Sequence, residues 1–278
     1  MNIKPLLLMG LIWTFSSSAF AIYDVDGLSV RVGGYWANVD SKMKLRTAQG
    51  NIDEVLDFEH HLNLEESSGE IFIEAAYRRG HHLFIGNFYQ LNRRGYQPEM
   101  TRDFEFEHND DYYRVTVGAA LETQLDIDIY QLAYGYEFYK AENVAAGASV
   151  GLHILDITTA FQGELLTIVN GQEQEFADEL IDHDLTAPLP NVGLYGHYRL
   201  PYDVTVGLRS QYLKVTVDEY TGFLLEARLS AFKHITEHFS AGVAYQYFAV
   251  EYDDENRVRK WDVDLTYHGP MLLVGYEF

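Results

Sequence analysis

The stretch from 162 to 189 has the densest group of side chains that could bind a metal ion. It contains no Lys or Arg. Its carboxylates are Glu164, Glu173, Glu175, Asp178, Glu179, Asp182 and Asp184. Carboxylate oxygens suit Ca²⁺ and Mg²⁺, but the spacing matches no EF-hand loop. We interpret the stretch as a solvated anionic loop, keep divalent cations at the acidic loops as the alternative, and assign no metal ligand.

Serine and histidine could together form a nucleophile and its base. Ser149 and His153 share one face of an alternating segment, but four residues at about 3.4 Å each place them about 13 Å apart. A base must lie within hydrogen-bond reach of its nucleophile. The paired histidines at 60–61 and 81–82 diverge if they lie on strands. We therefore expect no catalytic, metal or cofactor-binding residues, and no cofactor.

Two acidic stretches, at 126–128 and 182–184, invite comparison with omptin proteases, which are ten-stranded membrane barrels with paired acidic and Asp/His residues. The resemblance is partial. His183 directly follows Asp182, whereas the omptin His lies two residues after its Asp, and adjacent residues on a strand face opposite ways. A proteolytic or lipid-active enzyme is therefore our least favoured interpretation, and we predict that the protein is not an enzyme.

Strands must position these residues, because the hydrophobic pattern has period two almost throughout. Ten segments alternate, at about 28–44, 70–79, 81–97, 124–140, 143–161, 190–200, 202–217, 221–232, 239–251 and up to 278. One face is almost purely apolar, and the other is rich in Gly, Ala and Ser with isolated charges. A soluble β-sandwich would need a polar outer face on its strands. The pattern predicts an all-β, antiparallel transmembrane β-barrel of about ten strands, with eight or twelve as alternatives.

The connections agree with that topology. Four tight links alternate with four long ones, about 45–69, 98–123, 162–189 and 252–263, as periplasmic turns alternate with extracellular loops. The link at 217–220 is a short exception. We interpret 104–106 and 113–120 as continuations of the third and fourth strands beyond the membrane.

The more polar face should point into the barrel if the apolar face meets lipid. That face carries Arg31, Glu74, Arg78, Glu137, His153, His197, Arg199, Arg209, Gln211, Glu226, Arg228 and Glu277. Charges of both signs in a narrow lumen must pair, because an unpaired buried charge is costly. We predict a side-chain plug, with a narrow passive pore for small solutes as the alternative.

The final strand carries its own signal. Counting back by twos from Phe278 gives Tyr276, Val274 and Leu272. This apolar face with a terminal aromatic resembles the closing strand of bacterial outer-membrane barrels, where these residues act as the membrane-insertion signal. The resemblance implies that the barrel assembly machinery is a partner.

The first 21 residues have the features of a cleaved secretory signal peptide. Lys4 supplies the positive end, 6–15 the apolar region, and Ala19-Phe20-Ala21 the cleavage site. The apolar run is too short for a transmembrane helix. We therefore predict one domain, the barrel at 22–278, exported through the inner membrane of a Gram-negative bacterium to its outer membrane.

Composition excludes one class of partner. The formal net charge is −22, so nucleic-acid phosphates would be repelled. The chain has no cysteine, and its aromatic residues include 21 Tyr. Tyrosine favours the membrane–water interface, where its ring and its hydroxyl each find a suitable medium.

Five stretches resemble a group of uncharacterised outer-membrane β-barrel proteins. They lie at 56–64, 76–83, 134–138, 151–156 and 187–190. The group implies architecture but no activity. We expect a structural or surface-binding role, with outer-membrane lipid and lipopolysaccharide as partners.

Overall fold

The structure is a computed structural model that describes residues 26–46, 53–108, 111–169, 172–217, 220–254 and 262–278. Thirteen strands and one short helix lie in these ranges. They are β1 (Gly27–Arg46), β2 (Asp53–Asp57), α1 (Phe58–His61), β3 (Ser67–Arg79), β4 (His82–Gln97), β5 (Phe104–His108), β6 (Asp111–Val115), β7 (Leu121–Ala141), β8 (Val144–Val169), β9 (Gln172–Leu200), β10 (Val204–Val217), β11 (Tyr220–His234), β12 (Phe239–Asp254) and β13 (Asp262–Glu277). No helix in these ranges is long and apolar enough to cross a bilayer.

Ten of the strands form a closed antiparallel barrel. The ten wall strands are β1, β3, β4 and β7 to β13. Each of them pairs with the next wall strand along the chain, and β13 pairs back with β1. In this closing pair Val30 lies opposite Tyr276, and Val32 lies opposite Val274. Closure satisfies the backbone hydrogen bonds of both terminal strands, as a membrane-spanning sheet requires. The predicted all-β barrel of ten strands is confirmed.

The apolar face of the barrel points outward over a continuous belt. Ile71, Leu132, Leu194 and Val274 are each more than half exposed, whereas their neighbours in sequence face the lumen. Exposed apolar side chains over a whole circumference are stable only against lipid. This arrangement excludes the soluble sandwich.

Aromatic side chains mark both rims of the belt. Exposed aromatic side chains lie around the end with the tight turns at Phe138, Tyr198, Phe239 and Phe278. At the opposite rim the exposed aromatic side chains are Trp36, Tyr130, Tyr212 and Tyr247. From Tyr130 to Phe138 is eight residues, or about 27 Å along the strand. At the usual tilt the belt is about 20 Å tall, close to the height expected for an outer-membrane barrel.

The alternation of polar and apolar residues reverses at the upper rim. Within the belt, β7 turns Leu132 to lipid and Gln131 to the lumen; above the rim, it turns Asp128 outward and Ile129 and Ile127 inward. The reversal is expected from the surroundings, because water replaces lipid outside the strands there. The upper half is therefore built like a soluble barrel with an apolar core.

Two interpretations of the long links were wrong. The stretch at 162–189 is not a loop: β8 continues to Val169 and β9 begins at Gln172, joined by an antiparallel ladder with an irregularity between Gly163 and Leu165. Ladder bonds involve only the backbone, so an acidic composition does not prevent them. The side chains of 164–165 and 167–183 lie outside the described residues.

The stretches at 104–106 and 113–120 do not continue the third and fourth strands. They contribute to a separate hairpin, β5–β6, whose second strand pairs with β8. Two backbone hydrogen bonds hold together the ends of the segment that contains this hairpin. Met100 N donates to Ala119 O at 2.9 Å, and Gly118 N donates to Met100 O at 2.9 Å. Gly118 has φ +87°, which favours glycine.

Candidate functional site

Glu74 is the centre of a charged network in the lower lumen. Arg31 Nη1 lies 2.7 Å from its Oε1, and Arg228 Nη1 and Arg209 Nη1 lie 2.8 and 3.2 Å from its Oε2. Arg31 and Glu74 are direct partners across the β1–β3 ladder, while the other two arginines reach across from β11 and β10. Glu74 is 2% exposed, so water does not solvate these charges.

A second carboxylate, Glu226, shares two of those arginines. It lies 3.5 Å from both Arg209 and Arg228. His153 Nε2 lies 2.9 Å from Glu226 Oε2, and the amide nitrogen of Asn191 lies 2.9 Å from His153 Nδ1. These contacts fit a neutral imidazole that donates to Glu226 and accepts from Asn191.

A third ion pair fills the turn end of the lumen. Arg78 and Glu137 lie 2.6 Å apart and are both almost fully buried. Nearby, a residual space of about 40 Å³ is lined by Arg31, Glu74 and His197 among others. A space of that size holds only a few water molecules.

Amide side chains bridge the ion pairs. Gln131 donates to Gln211 at 2.5 Å, and Arg228 Nε donates to Gln246 at 2.8 Å. Gln246 in turn donates to the hydroxyl of Tyr89 at 3.0 Å. These bonds pair some of the polar groups that the lumen buries.

The structure places the predicted lumen residues as follows. Eight meet in ion-paired groups: Arg31, Glu74, Arg78, Glu137, His153, Arg209, Glu226 and Arg228. His197 is buried facing the same lumen, and Arg199 is half-buried nearer the turns. Sequence reasoning did not name Gln131, Gln246 and Asn191 as lumen residues. Each lies an even number of positions from an inward-facing residue on the same strand, so the alternation could have identified them.

An aromatic layer closes the lumen above the charges. It consists of Tyr35, Phe72, Tyr89, Phe248 and Tyr267, all at most 1% exposed. The hydroxyls of Tyr89 and Tyr267 are hydrogen-bonded, and the ring of Phe248 stacks on that of Tyr267 with centroids 4.7 Å apart. The expectation of a polar inward face therefore fails above this level, because the strands there need a dry core.

Helix α1 seals the outer end of that core. Phe58, Leu62 and Leu64 pack into it, and Glu59 accepts hydrogen bonds from the Ser41 backbone N at 2.9 Å and from its hydroxyl at 2.8 Å. Arg93 contacts the same carboxylate. Burial lowers the pKa of the Arg93 guanidinium, and Glu59 opposes that effect.

The start of α1 is held by Asp57. Its side chain accepts from His60 N at 2.8 Å, which is an N-cap bond. Partial burial raises the pKa of Asp57, but the bonds from His60 outweigh it, so the pKa is lowered overall.

The residues suggested for catalysis do not converge. Ser149 Oγ lies beside Gly193, whereas His153 contacts Glu226 and Asn191. Asp126 and Asp128 are on the outer face, bonded to Gln124 and Gln90. The side chains of 182 and 183 lie outside the described residues.

The paired histidines have separate contacts. His81 Nδ1 lies 2.8 Å from the Glu137 carbonyl, and His82 Nδ1 lies 2.8 Å from the Tyr134 hydroxyl. His60 contacts Asp57 through its side chain, while the Asp57 backbone N donates to His61. Across the described residues, no three His, Cys, Asp or Glu side chains are grouped so as to hold a metal ion.

Comparison with known proteins supports the fold. No protein-family model and no curated protein matches the chain. Among solved structures, the outer membrane protease OmpT from Escherichia coli is 11% identical, with a TM-score of 0.59 over 94% of this chain and 100% of that one. Ail, the attachment invasion locus protein of Yersinia pestis, is 13% identical, with a TM-score of 0.32 over 91% of this chain and 100% of that one. The outer membrane protein OprG from Pseudomonas aeruginosa is 12% identical, with a TM-score of 0.32 over 91% of this chain and 96% of that one.

The match to OmpT and the lipid-facing belt define the class. The chain has the fold of an outer-membrane β-barrel. At 11% identity the match to OmpT shows the shared ten-stranded fold and carries no activity with it.

Proposed function

We propose that this protein is a non-conducting outer-membrane barrel with a structural or surface-binding role. The proposal rests on one observation. Two successive layers of side chains fill the lumen: the charged network around Glu74 and the aromatic layer above it. A conducting path must be wet along its whole length, and an apolar constriction blocks ions by excluding water. The two layers together oppose a current, so the narrow pore is less favoured.

The part above the membrane supports a surface role. From Ile154 near the rim, β8 continues to Val169, sixteen residues that span roughly 50 Å along the strand. The β5–β6 hairpin pairs with this extension. A paired projection of this kind can present a fixed surface, whereas an unpaired loop would lose conformational freedom on binding.

Lipopolysaccharide is the partner that we propose for this surface. Asp128, Asp156 and Asp184 lie on the outer face just above the belt. Their charge would repel lipopolysaccharide phosphates, so divalent cations must bridge the two. Retention of lipopolysaccharide by the purified protein should therefore fall on chelation with EDTA.

The proposal also holds that the protein is not an enzyme. Incubation with lipopolysaccharide, phospholipid and a peptide library should leave acyl chains and peptide bonds intact. New cleavage products that vanish when the protein is omitted would favour the enzymatic alternative.

Planar-bilayer recording tests the closed lumen. The wild-type protein should give no steady single-channel steps, in membranes where an added porin conducts. A variant that thins the aromatic layer, Phe248→Ala with Tyr267→Ala, should give brief openings because water can enter the layer. The matched lipid-face variant, Leu132→Ala with Leu194→Ala, changes two exposed side chains and should remain silent. Steady steps from the wild type would overturn the proposal.

A further inference from the structure

The barrel wall is split between β9 and β10 above the membrane rim. Their ladder ends where Tyr212 pairs with Val192. Both strands continue beyond that point: β9 stays paired with β8, and β10 stays paired with β11 to Val217. In the described chain, β3 and β4 also continue without pairing with each other above the Phe72–Tyr89 pair. There, however, Leu64 bridges to Gly95 and Glu65 N donates to Arg94 O, which occupies the edge of β4.

Two prolines in β9 prevent it from pairing with β10 above the split. Pro188 and Pro190 follow directly on its upper side, and neither has an N–H to donate. The ladder with β8 passes both, with Pro190 opposite Leu152 and Pro188 opposite Ile154. The missing donors therefore face the β10 side, which is how proline occurs on a sheet edge.

A cavity of about 140 Å³ lies behind this edge. Its lining is Leu155, Ile157, Leu185, Thr186, Ala187, Pro188, Leu189 and Val250. No charged side chain lines it, and Leu155, Leu189 and Val250 are almost fully buried. An apolar cavity of about this size stays dry and can hold a benzene-sized hydrocarbon.

The cavity reaches around the edge of β9. Ala187 and Leu189 are on the lumen face of that strand, while Pro188 is exposed on the outer face, yet all three contribute to the lining. Below the split, the outer face continues as Val192 and Leu194, both more than half exposed to lipid. An apolar route therefore runs from the belt into the cavity.

Access from the outside of the cell is less favourable. The outer faces of β8 and β9 beside the cavity carry Asp156 and Asp184, which accept hydrogen bonds from Thr186 at 3.0 Å and Thr158 at 2.7 Å. Within the lumen, the cavity residues Leu155, Leu189 and Val250 belong to the same apolar core as Phe58 and Phe161. The lipid around the belt directly below the split is the nearest source of hydrocarbon.

We infer that the cavity binds the end of one acyl chain of an outer-leaflet lipid, which enters sideways between β9 and β10. Burial of the chain end removes apolar surface from the interfacial zone and fills space that is otherwise empty. The site anchors a lipid to the wall without requiring the lumen to open.

Cysteine chemistry can test the site, because the native chain has no cysteine. The probe is a phospholipid with a methanethiosulfonate group at the end of one acyl chain, incorporated with the protein into vesicles. Val250→Cys, on the cavity wall, should form a disulfide with this lipid. Leu91→Cys, equally buried in the apolar core but not lining the cavity, should remain unlabelled over the same time.

A second arm blocks the cavity. Ala187→Trp in the Val250→Cys background should abolish labelling, whereas Ala148→Trp, on the exposed lipid face, should not change it. If the larger residue prevents folding, as judged by heat-dependent gel mobility, Ala187→Phe replaces it. No labelling of Val250→Cys, equal labelling of Leu91→Cys, or labelling that persists in the blocked variant would overturn the inference. Labelling by soluble benzyl methanethiosulfonate but not by the lipid would also overturn it.

Discussion

Glu74 shows how much a single residue determines in the lumen. Its two oxygens accept from three guanidinium groups that come from three strands. Burial of four arginines and three glutamates in one narrow space is tolerated only because each carboxylate has such partners. The electrostatic balance of the plug therefore depends on this side chain more than on any one arginine.

We predict that Glu74→Ala destabilises the barrel by roughly 3–5 kcal/mol, the usual cost of leaving a buried charge without its partner. Arg31 and Arg228 would then face each other without an intervening carboxylate. Urea unfolding in lipid vesicles, followed by tryptophan fluorescence, measures the change.

The matched control is Glu65→Ala, because Glu65 is exposed above the membrane. Exposed charges contribute little to stability, so this variant should unfold like the wild type. If Glu74→Ala also unfolds like the wild type, the network does not hold the lumen.

At the scale of elements, the seam between β1 and β13 closes the barrel and tolerates little change. The β1–β13 pairing is interrupted between Tyr35–Met271 and Asn38–His268. There, Gly269 lies so close to Trp36 that an added Cβ would come within 1.8 Å of its carbonyl oxygen. Only glycine fits where two backbones approach this closely.

We predict that Gly269→Ala weakens the seam, at a cost of about 1–3 kcal/mol from the forced backbone shift. Gly222→Ala is the control, because a Cβ there would meet only side chains at 3.8 Å or more. Refolding yield from urea, read as heat-dependent mobility on gels, should fall for the first variant and not the second. Equal yields would show that the seam adjusts freely.

The strands themselves were largely predictable because lipid imposes a strict alternation. The segments at 70–79 and 239–251 fall inside β3 and β12. The start of β9 was not predictable in the same way: its membrane part begins near 190, but β9 extends back to Gln172. No lipid face constrains the residues there, and a backbone ladder leaves little trace in the side chains.

At the scale of the whole molecule, the reversed alternation divides the barrel into two halves with different interiors. On β12, Gln246 faces the polar lumen, and the next inward residues, Phe248 and Val250, enter the apolar core. Sequence reasoning assigned the inward charges by their parity but extended the polar interior to the full height. The error arose because the alternation along a strand shows which face a residue is on but not the height at which water replaces lipid outside the barrel.

The two halves should therefore be destabilised to different extents by the same change. Leu224 is fully buried in the upper core, and Leu132 is 63% exposed on the lipid face. We predict that Leu224→Ala costs about 2–5 kcal/mol, since a close-packed interior retains a cavity. Leu132→Ala should cost less, because mobile acyl chains fill the space that the side chain leaves. Urea midpoints of both variants in the same vesicles make the comparison. Equal costs would mean that the upper interior is packed as loosely as the lipid around the belt.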